Sequence, residues 1–390
     1  MNAARSIVRN LLAVGLAAVE PGRAVRRAIG IEDGAIVVCG RPHPSPERVW
    51  LVAVGKAAGP MAAAASDRVP AIAGGVVVCT DGHHDRPGVP AVVEVLRAPH
   101  PVPGPRSLHA ADRVLGCMRE ARAGDLVLAM ISGGTSAMLA APRPPNTLAD
   151  LERLNRHLLA SGAPIAVINR QRAAASLIKG GGLADAASPA AIEVLVVSDV
   201  PGDDPRLVGS GPFDRPPVPH HVVVRGQDAL RAMEQALAEG DIQPLRSTAP
   251  AVGDVHEVAR RYATWVAGAA PGACLLAHGE PTVILPPAHG TGGRNQHLAL
   301  LMARHLDDLG VPAVFAALGT DGTDGPTTAA GGLVDTTTAA RAAAAGHDLE
   351  QALLRCDSSP LLEAVGDALV TGPTHTNVMD LHVLLRLSQP

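Results

Sequence analysis

The sequence predicts an α/β protein of two domains. The larger is Rossmann-like, a mainly parallel sheet with flanking helices, and a smaller α/β domain follows it. Three observations carry this. Short apolar runs alternate with segments of helical period, the pattern of βα units. A length of 390 residues is long for one domain and comfortable for two. Five of the apolar runs end in small polar residues, as strands do where open α/β sheets bind ligands.

In chain order, an amphipathic helix comes first. Ile7, Val8, Leu11, Leu12, Leu16 and Val19 recur at helical spacing, and Glu20-Pro21 ends the run. Arg5 and Arg9 ahead of an apolar stretch resemble a signal peptide only superficially. Strands are expected at 49–54, 75–79, 126–131, 192–197, 273–277 and 313–318. Five of them run into Gly55-Lys56, Ser132-Gly133-Gly134, Ser198-Asp199, His278-Gly279-Glu280 and Gly319-Thr320-Asp321. Helical patterns over 228–238 and 255–266 carry no site-like motif and mark the boundary, giving domains 1–240 and 241–390. Site motifs fall on both sides, so the active site is expected in an interdomain cleft.

Composition removes several classes of function. Hydrophobic residues make up 47% of the chain, enough for a large core. Only two Trp, one Tyr and two Phe contribute rings, so aliphatic side chains must fill it. The 41 glycines and 34 prolines show no period and punctuate the apolar runs, as turns do. A net charge of −4 without a basic stripe argues against nucleic acid. Cys39, Cys79, Cys117, Cys274 and Cys356 lack metal or redox spacing, which fits core residues of a cytoplasmic protein. No run of 18 apolar residues is present to span a membrane. The 16 histidines form no H-E-x-x-H pair, so zinc is unsupported, and no G-x-S-x-G elbow appears.

Lysine is the most informative residue type. Of 33 basic side chains, only Lys56 and Lys179 are lysine. A lysine kept where arginine serves everywhere else points to a need for a compact, flexible ammonium. Lys56 follows an apolar strand and Gly55, near a helix N-terminus that favours anions; the competing reading is a snorkelling surface side chain. Ser132-Gly133-Gly134-Thr135-Ser136 could bring amides and hydroxyls to a phosphate. It is not a Walker A loop, since no lysine follows, and no G-x-G-x-x-G follows the first strand. Lys179-Gly180-Gly181-Gly182 is expected to close a helical segment over 172–178, with more glycine than a C-cap requires. In Ser198-Asp199-Val200-Pro201-Gly202-Asp203-Asp204, Asp199 lies closest to the strand and is the candidate metal ligand or base. Asp203 and Asp204 read as a solvated turn. Asp321 and Asp324 lie in a glycine-spaced loop suited to a metal or a hydroxyl, without the length of an EF-hand. Arg294, in Gly292-Gly293-Arg294-Asn295-Gln296, could clamp a carboxylate or phosphate.

Taken together, V-A-V-G-K-A-A (52–58), I-S-G-G-T-S-A (131–137), I-K-G-G-G-L-A (178–184), S-D-V-P-G-D (198–203), G-S-G-P (209–212), G-G-R-N-Q (292–296), G-T-D-G-T-D-G-P-T (319–327) and G-P-T-H-T-N-V (372–378) resemble the glycerate 2-kinase family. That family pairs an N-terminal α/β domain with a C-terminal domain called MOFRL, and the likeness runs through nearly the whole chain. It implies transfer of the γ-phosphoryl of ATP, with Mg²⁺, to the 2-hydroxyl of D-glycerate. On this resemblance Lys56, Asp199 and Arg294 would be catalytic, and Arg172, Asp321 and Asp324 would bind substrate. Ser132, Gly133, Gly134, Thr135, Ser136 and Lys179 would hold ATP, and Asp199 and Asp321 would be the metal candidates. The expected partners are ATP and a small hydroxy acid, with a homodimer as the candidate assembly and no nucleic acid or membrane.

The chain departs from the family in segments that could touch substrate. Thr80-Asp81-Gly82-His83-His84 stands where a Lys-Tyr-Gly-His-like segment is expected. Ala173 and Ala174 replace a basic pair, Phe213 a threonine and His297 a glutamate. The rival readings are a kinase for a related hydroxy acid, a hydroxypyruvate reductase-type oxidoreductase, a label that some relatives carry, and a catalytically silent nucleotide-binding protein, which the lost basic pair permits. The missing dinucleotide fingerprint argues against the second, and the retained lysines and aspartates against the third.

Overall fold

The computed structural model describes residues 1–81, 88–160, 165–238 and 240–388. By contacts the chain divides into two compact units. One comprises Glu20–Arg225 with His375–Asn377, and the other Met1–Val19, Gly226–Thr374 and the chain from Val378 onward. This division falls at 225/226 rather than 240/241, and it gives the first helix to the second unit. The cause is packing. Helix Asn2–Ala18 lies against helix Gly226–Leu237, and its Arg5 reaches two buried carboxylates, Asp335 at 2.5 Å and Asp367 at 2.6 Å. Removing Arg5 would leave both without that cation, a costly arrangement.

The first unit is built on six strands: β1 (Val49–Val54), β2 (Ile72–Cys79), β3 (Val93–Arg97), β4 (Leu126–Ile131), β5 (Ala191–Val197) and β6 (His220–Val224). All pair in parallel, in the order β3-β2-β1-β4-β5-β6. This is the doubly wound order of dinucleotide-binding folds, reached here without their glycine fingerprint. Every residue of β1 and β4 is buried, as central parallel strands covered on both faces require. The order reverses between β1 and β4. In open α/β sheets ligands bind outside the carboxyl ends of the strands at such a switch point. Lys56 follows one of these strands and Ser132 the other. The edge strands β3 and β6 escape the sequence reading because their apolar runs are short and half exposed.

The second unit carries β7 (Gln243–Arg246), β8 (Ala273–Gly279), β9 (Ala313–Gly319), β10 (Gly331–Asp335), β11 (Ala368–Leu369) and β12 (Asp380–Arg386), in the order β7-β8-β12-β9-β10-β11. β7 and β8 are parallel and the remaining pairs antiparallel. The last strand of the chain thus lies near the centre of this sheet. Helices Val255–Gly268 and Arg294–Leu309 contribute to its aliphatic core, with Phe315 and Tyr262 as the aromatic members. Among the described residues no helix is long and apolar enough to cross a membrane, and none of the five cysteines forms a disulfide.

Candidate active site

The turn after β4 organises the first unit. The main-chain N–H of Lys56 donates to Gly133 O at 2.9 Å, which ties the ends of β1 and β4 together. Ala57 N donates to Ser132 Oγ at 3.0 Å, and Thr135 Oγ1 lies 2.9 Å from Val54 O and 2.8 Å from Ser132 O. Ser132 and Thr135 are fully buried. Their hydroxyls therefore hold the turn rather than face a phosphate, which corrects the expectation for these two side chains. Gly134 and Ser136 of this loop are partly exposed, and Gly133 is buried.

Asp199, just past β5, reaches the same turn. Its Oδ2 accepts from Asn377 Nδ2 at 3.1 Å. A Cβ added to Gly133 would stand 2.1 Å from that oxygen and 2.2 Å from that nitrogen, so glycine is required for the approach. Asn377 lies in the G-P-T-H-T-N-V motif, yet nothing local in sequence ties it to Asp199. Four residues further on, Asp203 has a left-handed backbone (φ 52°) and a buried Oδ1 without a hydrogen-bond partner. The solvated turn expected there is instead partly enclosed.

Lys179 is the third approach to the loop. Its Nζ donates to Ser136 Oγ at 2.6 Å, and Ser136 Oγ lies 3.2 Å from Ser210 Oγ of the G-S-G-P motif. Burial, with the nearby Arg172 charge second, pushes the Lys179 amine down to about 8. Burial also lowers Arg172, whose Nε donates to Asn155 Oδ1 at 2.8 Å. Among the described residues no carboxylate contributes to either shift. Two neighbouring cations with no such contribution among the described residues suit an anion. The helix preceding Lys179 is Ile165–Ala174, ending before the expected 178, and the glycine run opens the next helix, Gly182–Ala187. Added Cβ atoms would stand 2.8 Å from Ala173 Cβ at Gly180, 2.6 Å from Asp214 O at Gly181 and 2.0 Å from Leu177 O at Gly182. Close approach accounts for all three glycines, to a side-chain methyl at Gly180 and to main-chain oxygens at Gly181 and Gly182.

The remaining expected residues gather in the second unit. Arg294 begins helix Arg294–Leu309 and donates to the buried Asp380 through Nε at 2.6 Å and Nη2 at 2.9 Å. Its Nη1 lies 2.7 Å from Glu280. Burial opposes this charge, but Asp380 and then Glu280 raise the guanidinium above its ordinary value. Two carboxylates already match it, unlike the open anion clamp read from sequence. Asp324 caps the same helix, accepting from Asn295 N at 3.0 Å and Gln296 N at 2.8 Å, and from both side-chain amides. Both its oxygens are engaged in helix capping, so the substrate contact expected of it is replaced by a structural one. Burial raises this carboxyl to about 6. Asp321 Oδ1 accepts from Thr323 N and Oγ1 at 3.0 and 3.1 Å, a local turn. Among the described residues no group of three or more His, Cys, Asp or Glu side chains could hold a metal ion.

The departures from the family sort by burial. Phe213 is fully buried in the aliphatic core of the first unit, and His297 is buried on its helix. Asp81 pairs with Arg106 on the surface at 3.0 Å. Ala173 and the more exposed Ala174 end their helix. Gly82, His83 and His84 lie outside the described residues.

Comparison with known proteins agrees with this architecture. Residues 7–238 match a domain of unknown function, DUF4147, and residues 273–380 match the MOFRL family. A glycerate 2-kinase of Pyrococcus horikoshii is 32% identical, with 99% of this chain and 98% of that protein covered. A protein of Agrobacterium vitis with a provisional hydroxypyruvate reductase name is 35% identical, covering 98% and 94%. The crystal structure of a Thermotoga maritima glycerate kinase superposes with a TM-score of 0.84 at 31% identity, over 99% of this chain and 100% of that one. With both domains matched in order and full-length relatives on either side, the chain belongs to the glycerate kinase family built from a DUF4147 domain followed by MOFRL.

Proposed function

We propose that this protein is an ATP-dependent, Mg²⁺-assisted kinase that phosphorylates the 2-hydroxyl of D-glycerate to 2-phosphoglycerate in the cytoplasm. One observation carries the reading: Lys56 through its main chain and Asp199 through its side chain both converge on Gly133, where the strand order reverses. Phosphoryl transfer depends mainly on positioning and charge neutralisation, and this turn supplies both. Gly133, Gly134 and Ser136 would hold the phosphates, with Lys179 neutralising them beside Ser136. Lys56 would stabilise charge on the transferring phosphoryl group. Arg172, without an acidic neighbour among the causes of its shift, would bind the acceptor carboxylate.

Asp199 would accept the proton of the 2-hydroxyl or hold the cation, and Asp321 competes for the second role. These carboxylates would suit Mg²⁺, which takes one or two carboxylates plus substrate phosphates rather than a protein cage. The buried Asp203 Oδ1 offers a further oxygen. Bound Mg²⁺ would neutralise phosphate charge. Arg294 reaches an anion only by releasing Glu280, the more exposed of its partners.

A coupled ADP-release assay over a panel of hydroxy acids, with ³¹P NMR of the product, tests the reading. Turnover of D-glycerate with phosphate on the 2-hydroxyl is expected. Phosphate on the 3-hydroxyl overturns the regiochemistry, and turnover of another hydroxy acid alone moves the substrate. NADH oxidation by hydroxypyruvate without ADP release replaces the kinase with a reductase. Sedimentation velocity tests the homodimer.

A further inference from the structure

We propose that Asn377 is a positioning residue that holds the Asp199 carboxylate in its working orientation at Gly133. The inference rests on the reading that Asp199 acts in the reaction. Tripeptide His375–Asn377 belongs by its contacts to the first unit, although the chain on both sides of it belongs to the second. Those flanks are fastened. Val378 N donates to Thr320 Oγ1 at 2.8 Å, Thr320 N donates to Met379 O at 3.1 Å, and Thr374 Oγ1 donates to Thr320 O. The tripeptide is therefore a short excursion with both ends held, which limits the freedom of Asn377.

The bond it makes has a defined direction. Asn377 donates from Nδ2 to Asp199 Oδ2. That donor fixes the position of one carboxylate oxygen. An amide does this without adding charge, whereas an acid there would repel Asp199. The close packing of both groups over Gly133 allows little alternative placement. Groups that orient a reacting or ligating residue typically cost about 10- to 100-fold when removed.

The test uses the isosteric Asn377→Asp and the truncating Asn377→Ala, each alone and combined with Asp199→Asn, in the full-length enzyme. Both single variants are expected to lower kcat about 10- to 100-fold with KM for glycerate nearly unchanged and thermal unfolding close to wild type. Asn377→Asp should fall at least as far as Asn377→Ala. In the Asp199→Asn background, either change at 377 should have almost no further effect, because coupled residues are non-additive. Wild-type kcat in Asn377→Asp, or a full additive loss in the double variants, overturns the proposal. Wild-type activity of Asp199→Asn alone overturns the reading beneath it instead, whatever the variants at 377 do.

Discussion

Lys179 Nζ and Ser136 Oγ are 2.6 Å apart, joining one of the two lysines of the chain to the glycine loop after β4. Burial holds this amine near 8, so it loses its charge in an accessible range. If it neutralises a bound anion, kcat/KM should be high below pH 8 and fall as the pH rises through it, since kcat/KM reports the free enzyme. In Lys179→Arg the charge persists and that fall should disappear, although the absolute rate drops. A pH profile from 6.5 to 9.5 for both proteins checks this.

Lys56→Arg should lose most activity and keep its fold. The guanidinium is planar and bulkier than the ammonium, and Lys56 is already held by its main chain at Gly133. A loss of about 100-fold in kcat is expected, the scale for removing one preorganised group that stabilises transition-state charge. Steady-state kinetics with circular dichroism of the variant decide it.

Gly133→Ala should damage both stability and rate. The new methyl would displace Asp199 and Asn377, and overpacking of this kind costs about 1–3 kcal/mol. Urea denaturation read beside kcat should show both losses, and an unchanged pair would remove the steric argument.

Acid should unfold the second unit through two histidines. Burial pushes His297 and His382 down to about 4, below the ordinary value near 6.5. Between these limits the unfolded chain binds protons that the folded one refuses, so stability is present above pH 6.5 and is lost as pH falls towards 4. Each histidine contributes up to about 3 kcal/mol on this basis. Both ring nitrogens of His297 are buried without partners. His297→Leu should therefore raise the denaturation midpoint at pH 5 more than at pH 8, as scanning fluorimetry at the two values would show.

Asp324→Ala should loosen the N-terminus of helix Arg294–Leu309. Two main-chain and two side-chain donors lose their acceptor, and removal of a helix cap costs about 1–2 kcal/mol. The lower midpoint in urea should come with unchanged KM for glycerate, because both oxygens serve the helix. A rise in KM without loss of stability would restore the substrate contact.

Strands β1 and β4 are legible in the sequence to the residue, because a central parallel strand is a continuous apolar run bounded by turn residues. The motifs at their ends, and the odd retention of Lys56 and Lys179, are equally local signals. Helix boundaries near Lys179 were less so, since three glycines in a row suit a helix end as well as the close packing that requires them here. Which unit the first helix joins was decided by Arg5 and the buried Asp335 and Asp367, more than 300 positions away. The same holds for Arg294, whose residue type suits an anion clamp until Asp380 arrives from the last strand, and for Asn377, brought to Asp199 across 178 positions. Hydrophobic period and turn chemistry act between neighbours in sequence, so the sequence by itself determined the α/β class, the central strands and the loops that bear the chemistry. Pairing of buried charges acts between neighbours in space, so only the tertiary structure decided which of those side chains meet a ligand and which hold the fold.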